Sequence, residues 1–389
     1  MKFSDRLDRF EDEIFASLDT RRLALEKAGK TIYNLSIGTP DFPVFDHLKE
    51  ALKEAADDPD NWKYALHDSD EMLEAVCSYY KKRFGVTITP DMVVSCRGSQ
   101  DGIGHLGMVL CNEGDTVLLP TPCYPVFIAG ARMAGAEPWY YPMSEEKGFL
   151  PDLEAIPDEV ADRAKYMIFS LPSNPMGSIG GPEVYEDVIA FARKHDILLI
   201  HDNAYSDIIF GNAKGKSFFN YEGAAEQGVE FFSLSKSFNL TGARISFLIG
   251  RPDVVAAYRK LVAQIDFGMF RPLQKVAVAA LTGPLDLVEE QCRKYEARSK
   301  ALCGGLRAIG WDVPDSQGSM FVWAKLPAHY SDSMQFAQDL MEKAGVVCTP
   351  GESFGPMGKG YVRFALVLPP EKMALVAEAI RESGILNEK

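Results

Sequence analysis

Long apolar runs are missing from this 389-residue chain. None approaches the roughly 18–20 residues that a membrane span needs, so no membrane association is expected. The N-terminus, Met1-Lys2-Phe3-Ser4-Asp5-Arg6, runs straight into mixed charge and offers no apolar core for a signal peptide. Paired cysteines are also missing. The seven thiols, at 77, 96, 111, 123, 292, 303 and 348, are odd in number and scattered, with no Cys-x-x-Cys. They read as buried or free thiols of a reducing compartment, which makes the cytoplasm the expected location. The six histidines lack metal-ligand spacing, so no metal is expected. Positive charge is in short supply, with 41 Lys and Arg against 55 Asp and Glu and a net charge of −14. That excess of acid repels phosphate backbones and anionic lipid, which argues against nucleic acid as a partner. Repeats, low-complexity tracts and long polar linkers are absent too.

What is present is a globular composition, 47% hydrophobic and 25% charged, in a chain long enough for two domains. Short apolar runs alternate with helical periodicity, the pattern of an α/β sheet covered by helices. Strands are expected at about 92–96, 116–119, 137–141, 165–170, 197–201, 230–234 and 245–249. Helices are expected at about 70–84, 100–111, 125–134, 182–195 and 252–266, with the first thirty residues helical and charged. After about 283 the character changes: a long helix over Asp286 to Gly310 precedes strands near 320–326 and 361–367 and helices at 333–344 and 370–383. The expected division is a large domain over 45–283 and a smaller α+β domain made of 1–44 and 284–389.

Ligands of open α/β sheets bind at the carboxyl ends of the strands, so the residues after each strand are the place to search. Gly98-Ser99-Gln100 opens a helix, Ser173-Asn174-Pro175-Met176-Gly177 makes a turn, Asp202 and Tyr205 follow another strand, and Ser233, Ser235 and Lys236 lead towards Arg244. Singly, each has an ordinary explanation: a helix cap, a turn, a surface acid, a solvated lysine. Together they match the needs of pyridoxal phosphate. Its pyridine nitrogen needs a carboxylate (Asp202), its aldehyde a lysine for a Schiff base (Lys236), and its phosphate helix N-terminal amides plus an arginine (Ser99, Gln100, Arg244). Its phenolic oxygen needs donors (Tyr205, Asn174) and its ring an aromatic platform (Tyr124).

The run Ser233-Leu234-Ser235-Lys236-Ser237-Phe238-Asn239-Leu240-Thr241-Gly242-Ala243-Arg244 resembles the lysine motif of class I/II aminotransferases of the aspartate-aminotransferase fold. Asp202-x-x-Tyr205, the Asn174-Pro175-x-Gly177 turn, the Gly38-x-Pro40-Asp41-Phe42 loop and the Tyr361-Val362-Arg363-Phe364 strand are similar to that family's other signatures, in the same order. Gly148-Phe149-Leu150-Pro151-Asp152-Leu153 and Gln264-Ile265-Asp266 look most like the LL-diaminopimelate aminotransferase-type branch.

The resemblance implies a fold type I architecture, with a mainly parallel seven-stranded sheet in the large domain. It implies a pyridoxal-phosphate transaminase that moves an amino group between an L-amino acid and a 2-oxo acid such as 2-oxoglutarate. In it, Lys236 would hold the coenzyme and move a proton, with Asp202 and Tyr205 as its catalytic companions. Ser99, Gln100, Tyr124, Asn174, Ser233, Ser235 and Arg244 would complete the coenzyme site, while Arg363, Gly38 and Asn174 would take the substrate carboxylate. Tyr64 resembles a tyrosine that reaches the phosphate of a neighbouring subunit, which implies a homodimer with shared sites. Two other readings keep the coenzyme: a carbon–sulfur β-lyase, and a non-catalytic coenzyme-binding regulator. Ser69, Glu74, Met176 and Ala243 depart from the family pattern, and Ser69 and Glu74 are expected near the substrate entrance.

Overall fold

The computed structural model describes residues 1–10 and 14–387. A short strand, Tyr33–Asn34 (β1), precedes seven strands that build the central sheet. These are Val93–Cys96 (β2), Thr116–Thr121 (β3), Glu137–Pro142 (β4), Ala164–Phe169 (β5), Leu198–Asn203 (β6), Gly228–Ser233 (β7) and Ser246–Gly250 (β8). Their order is β2-β8-β7-β6-β5-β3-β4, and β8 alone runs antiparallel to both of its neighbours. Strands buried on both faces read as near-continuous apolar runs. That is how Val117, Leu118 and Leu119, or Leu198, Leu199 and Ile200, made the sheet visible in the sequence. Helices Ser99–Leu110, Pro125–Ala134, Pro182–Lys194 and Pro252–Val262 cover it.

A second sheet joins Phe321–Lys325 (β9), Thr349–Pro350 (β11) and Tyr361–Ala365 (β12) in the order β11-β12-β9, while Val346–Val347 (β10) pairs in parallel with β1. The 23-residue helix Asp286–Ala308 and the helices Ser333–Ala344 and Pro370–Ser383 pack here around a core that includes Leu35, Leu302, Phe336, Val346, Phe364 and Ile380. Residues from near the N-terminus thus share a core with the last hundred.

Several expectations need correction. Helices Asp46–Asp57 and Arg271–Thr282, and the two-residue strands β1, β10 and β11, were not foreseen. Both missed helices start after a phenylalanine, Phe45 or Phe270, which supplies no side-chain cap and hence no start signal. The helix expected to reach 266 stops at Val262, and the N-terminal segment is a short 3-10 turn, Asp5–Arg9, followed by the helix Ile14–Lys27. Residues 11–13 of that helical expectation lie outside the described residues. Leu234 does not end a strand; it opens the four-residue helix Leu234–Ser237, which Ser233 caps by accepting from the Ser235 N–H at 3.1 Å. No described helix is long and apolar enough to cross a membrane, and no described cluster of three or more His, Cys, Asp or Glu is placed to hold a metal.

The loop after β1 is tied down from the side of the long helix. Arg298 donates to both oxygens of Asp41, at 2.6 and 2.9 Å, and to the Leu366 carbonyl at 2.9 Å, while its guanidinium lies 4.2 Å from the centre of the Phe42 ring. A bidentate pair of this kind, its arginine buried, fixes direction as well as distance, and it ties down the loop that carries Gly38.

Candidate active site

A cavity of about 880 Å³ opens at the carboxyl ends of β5, β6 and β7. Gly38, Ser99, Gln100, Tyr124, Asn174, Asp202, Tyr205, Ser233, Ser235, Lys236, Arg244 and Arg363 all line it. Twelve of the thirteen residues singled out from sequence therefore converge, although 325 positions separate Gly38 from Arg363. The exception is Tyr64, which is 75% exposed, stands outside the cavity and packs on Phe267 with ring centres 5.0 Å apart.

The β6 strand carries Asp202 into the floor of the cavity. Its backbone carbonyl accepts from Ser170 at 2.9 Å, but its side-chain Oδ1 is buried without a hydrogen-bond partner. An orphaned buried carboxylate oxygen is costly unless a ligand meets it. Burial pushes this carboxyl up to about 6, opposed by the positive charges of His201 and then Lys236.

Lys236 enters from the short helix after β7, and its Nζ donates to the Gly38 carbonyl at 2.5 Å. Burial, then the neighbouring Arg363 and Arg244, lower its ammonium to about 8, with Asp202 pulling the other way. A lysine brought this close to neutrality is a usable nucleophile and base.

The helix Ser99–Leu110 points its free N-terminal amides into the cavity, after Gly98 at φ +82°. A Cβ on Gly98 would run into the Arg244 guanidinium, so glycine is what lets that arginine lie across the helix N-terminus. Arg244 itself has the left-handed backbone, φ +55°, and Nη1 donates to the Thr241 carbonyl at 2.9 Å. Ser99 Oγ is buried and unpartnered. An arginine, helix amides and a free hydroxyl make a site built for a phosphate. Tyr124 lies alongside and donates its hydroxyl to Gln100 Oε1 at 3.0 Å.

Opposite stands Arg363, on β12. It donates to Asn174 Oδ1 (2.9 Å), the Ser36 carbonyl (2.8 Å) and Thr349 Oγ1 (3.2 Å), and its Nε is buried without a partner. The guanidinium lies between the rings of Phe321, 4.2 Å away, and Phe354, 4.7 Å away. Burial lowers it to about 10, with Tyr205 and Tyr124 opposing, so it remains a cation at neutral pH. Burial also raises the Tyr205 and Tyr124 phenols, which stay protonated and able to donate.

Sequence reasoning missed Ser36, Thr349, Phe321 and Phe354, which hold and sandwich Arg363. Gly38 was a clue to one of them: a Cβ there would stand 2.6 Å from the Phe321 ring. Neither Ser69 nor Glu74 lines the cavity. Ser69 caps the helix Asp70–Phe84 and donates its N–H to Gln274 at 2.9 Å, while Glu74 faces outward from that helix. Met176 and Ala243 pack into apolar clusters.

Residues 30–380 match the family described as aminotransferase class I and II. The chain is 38% identical over 387 residues to the LL-diaminopimelate aminotransferase of Halothermothrix orenii, covering 99% of each chain. Among solved structures it superposes on substrate-bound BacF from Bacillus subtilis with a TM-score of 0.94, at 35% identity and 98% coverage of each chain. A probable N-succinyldiaminopimelate aminotransferase from Thermus thermophilus gives a TM-score of 0.91 at 34% identity, over 95% of this chain and all of that one.

Proposed function

The chain belongs to the class I and II aminotransferases and is a pyridoxal-phosphate-dependent aminotransferase; from that premise we propose its substrates, the roles of its site residues and its assembly. The amino donor is LL-diaminopimelate and the acceptor 2-oxoglutarate. Full-length similarity at 36–38% identity to enzymes named for that donor supports the choice. Their names also favour transamination over the carbon–sulfur lyase and over a non-catalytic regulator. The observation that carries the reading is the meeting of Lys236, Asp202 and Arg363 in one cavity.

The residues fit the coenzyme. The unpartnered Asp202 oxygen would receive the ring N–H, and the Gly98 cradle with Ser99, Gln100, Ser233, Ser235 and Arg244 would surround the phosphate. Tyr205 and Asn174 would donate to the ring oxygen, and Tyr124 would cover the ring face. When bound, pyridoxal 5′-phosphate supplies an electron sink for the pair of electrons left at the substrate Cα when its proton departs.

The chain does the rest. Arg363 presents a planar fork to the substrate α-carboxylate, a match lysine cannot reproduce; Phe321 and Phe354 keep water from its faces. Gly38 and Asn174 fix the carboxylate beside it. Lys236, lowered to about 8, removes the proton from Cα and returns one to the product, with a basicity suited to working near neutrality. Asp202 stays ionised above about pH 6 and holds the ring nitrogen's proton in place.

Assembly as a homodimer accounts for the exposed aromatic surface around Tyr64. Tyr64 packs on Phe267 and Trp62 on Phe270, and with Leu66 and Ile265 from the same two segments these side chains are all at least 40% exposed. A patch of large apolar side chains of this extent marks a protein contact, and Tyr64 would serve the partner's site from it. The large domain would comprise 45–283, the small one 1–44 and 284–389, and the enzyme would work in the cytoplasm. Steady-state rates of the holoenzyme with 2-oxoglutarate and a panel of donors test the substrate. LL-diaminopimelate should give the highest kcat/KM; a clear preference for aspartate, alanine or an aromatic donor refutes the choice.

A further inference from the structure

Gln291 belongs to the long helix Asp286–Ala308, is buried, and does not line the cavity. Its side chain nevertheless reaches the backbone of Lys236. Gln291 Nε2 donates to the Lys236 carbonyl at 2.9 Å. The helix Leu234–Ser237 is four residues long, so its last carbonyls have no partner within it, and this amide supplies one. Gln291 Oε1 accepts from Asn239 Nδ2 at 2.7 Å, and the same Nδ2 donates to the Pro43 carbonyl at 3.1 Å. A carbonyl oxygen only accepts, so both amides are oriented from the ends of this chain of bonds. Lys236 requires the Gln291 nitrogen, and Pro43 requires the Asn239 nitrogen.

The helix face that carries Gln291 also grips the loop after β1. Gln291, Tyr295 and Arg298 are spaced to share one face over two helical turns. Arg298 holds Asp41, and the Tyr295 ring meets the Phe42 ring edge-on with centres 5.1 Å apart. Gln291 reaches Pro43 through Asn239. Three successive loop residues are thus met by three side chains of one helix face. Earlier in the same loop is Gly38, whose carbonyl takes the Lys236 Nζ at 2.5 Å. The lysine is therefore held at both ends against one loop: its tip by Gly38, its backbone through Gln291 and Asn239. Asn239 suits the turn, since its φ of +56° is a left-handed conformation that asparagine tolerates better than most residues. Next to the lysine, Ser237 Oγ donates to the buried Asp207 carboxylate at 2.6 Å, an anchor for the short helix that does not depend on Gln291.

We propose that Gln291 is a positioning residue for Lys236, fixing the backbone from which Nζ reaches the coenzyme aldehyde and the substrate Cα. The proposal rests on the coenzyme role given to Lys236 above. In that role Nζ adds to the aldehyde carbon and a water leaves as the C=N bond forms, so the rate of bond formation reports where Nζ stands. Misplacing a reacting group by about 1 Å costs up to about 100-fold in rate.

The test uses the coenzyme-free protein. Mixed with saturating pyridoxal 5′-phosphate, it should develop the visible absorbance of the lysine-bound coenzyme at a rate set by the bond-forming step. Gln291→Met keeps the length and helix propensity of the side chain and removes both amide contacts. It should slow this step roughly 10- to 100-fold. Its affinity for pyridoxamine 5′-phosphate, which has no aldehyde and forms no bond to Lys236, should stay at the wild-type value. Asn239→Gly cuts the tie to Pro43 while glycine accepts the positive φ, and it should also slow the step. That second variant keeps the proposal testable should Gln291→Met not fold. An unchanged rate in either folded variant, or a matching loss of pyridoxamine 5′-phosphate affinity, refutes the positioning role. A wild type in which borohydride fixes the coenzyme to no lysine, or to one other than Lys236, refutes the role of Lys236 itself, a separate failure.

Discussion

Replacing Arg363 with lysine keeps the positive charge and removes the planar fork, which isolates what the geometry contributes. The guanidinium makes three hydrogen bonds to Asn174, Ser36 and Thr349 and lies between Phe321 and Phe354. An ammonium at that place meets a carboxylate at one point where the fork meets it at two. One lost charge-assisted bond is worth about 1.5–3 kcal/mol. The poorer fit of an ammonium between two rings adds up to about 1 kcal/mol. Together these come to about 3 kcal/mol of transition-state binding, or roughly a 150-fold fall in kcat/KM. The assay is steady-state transamination with saturating 2-oxoglutarate and varied donor, with coenzyme content measured on the same sample. The loss should fall on kcat/KM for every α-amino acid alike, while the affinity for pyridoxal 5′-phosphate stays unchanged. A loss below about tenfold, or one caused by coenzyme release, would show that Arg363 does not receive the α-carboxylate as a fork.

Asp202→Asn should have opposite effects on the coenzyme-free and coenzyme-bound protein. The folded carboxyl is raised from 3.8 to about 6, so ionising it in the fold destabilises, and that loss accumulates as pH rises through this window and is complete above it. The neutral amide should therefore stabilise the coenzyme-free protein at pH 7.5 by up to about 3 kcal/mol in denaturant unfolding, while coenzyme affinity falls; a destabilised coenzyme-free variant contradicts the assignment. Gly98→Ala puts a Cβ against the Arg244 guanidinium at a φ of +82°. It should weaken coenzyme binding roughly 5- to 150-fold from a backbone and contact strain of about 1–3 kcal/mol, and near-normal affinity in equilibrium titration would refute the cradle. Phe267→Asp places a charge in the aromatic surface next to Tyr64 and should shift sedimentation towards monomers with loss of activity; a wild type that sediments as an active monomer contradicts the shared site. Lys236→Ala, treated with borohydride in the presence of coenzyme and digested, should yield no coenzyme-modified peptide, whereas the wild type should be modified at Lys236.

The central sheet was legible because its strands are buried on both faces and write themselves as apolar runs, as in Leu198–Leu199–Ile200. The coenzyme cavity was legible because its residues follow strand ends in motifs of fixed spacing, from Asp202 with Tyr205 to Lys236 with Arg244. What escaped had no local signal. Strand β1 is two residues long and exists by pairing with β10 more than three hundred positions away. Ser36 and Thr349 look like any loop residues until the fold brings them onto Arg363. Glu230 sits in an apolar strand as one acid among many, and its five donors come from three separate segments. A motif announces groups that touch a ligand; the groups that orient those groups become visible only in three dimensions.

The most direct test of the account is a single half-reaction. Holoenzyme is mixed with LL-diaminopimelate and no 2-oxo acid, and the coenzyme is followed by its visible absorbance and by mass. The wild type should convert one coenzyme per site to pyridoxamine phosphate, and Lys236→Ala should convert none on the same timescale. Conversion by Lys236→Ala at the wild-type rate, or a wild type that leaves the coenzyme unchanged with LL-diaminopimelate, would contradict the assignment of Lys236 as the proton carrier of a diaminopimelate aminotransferase.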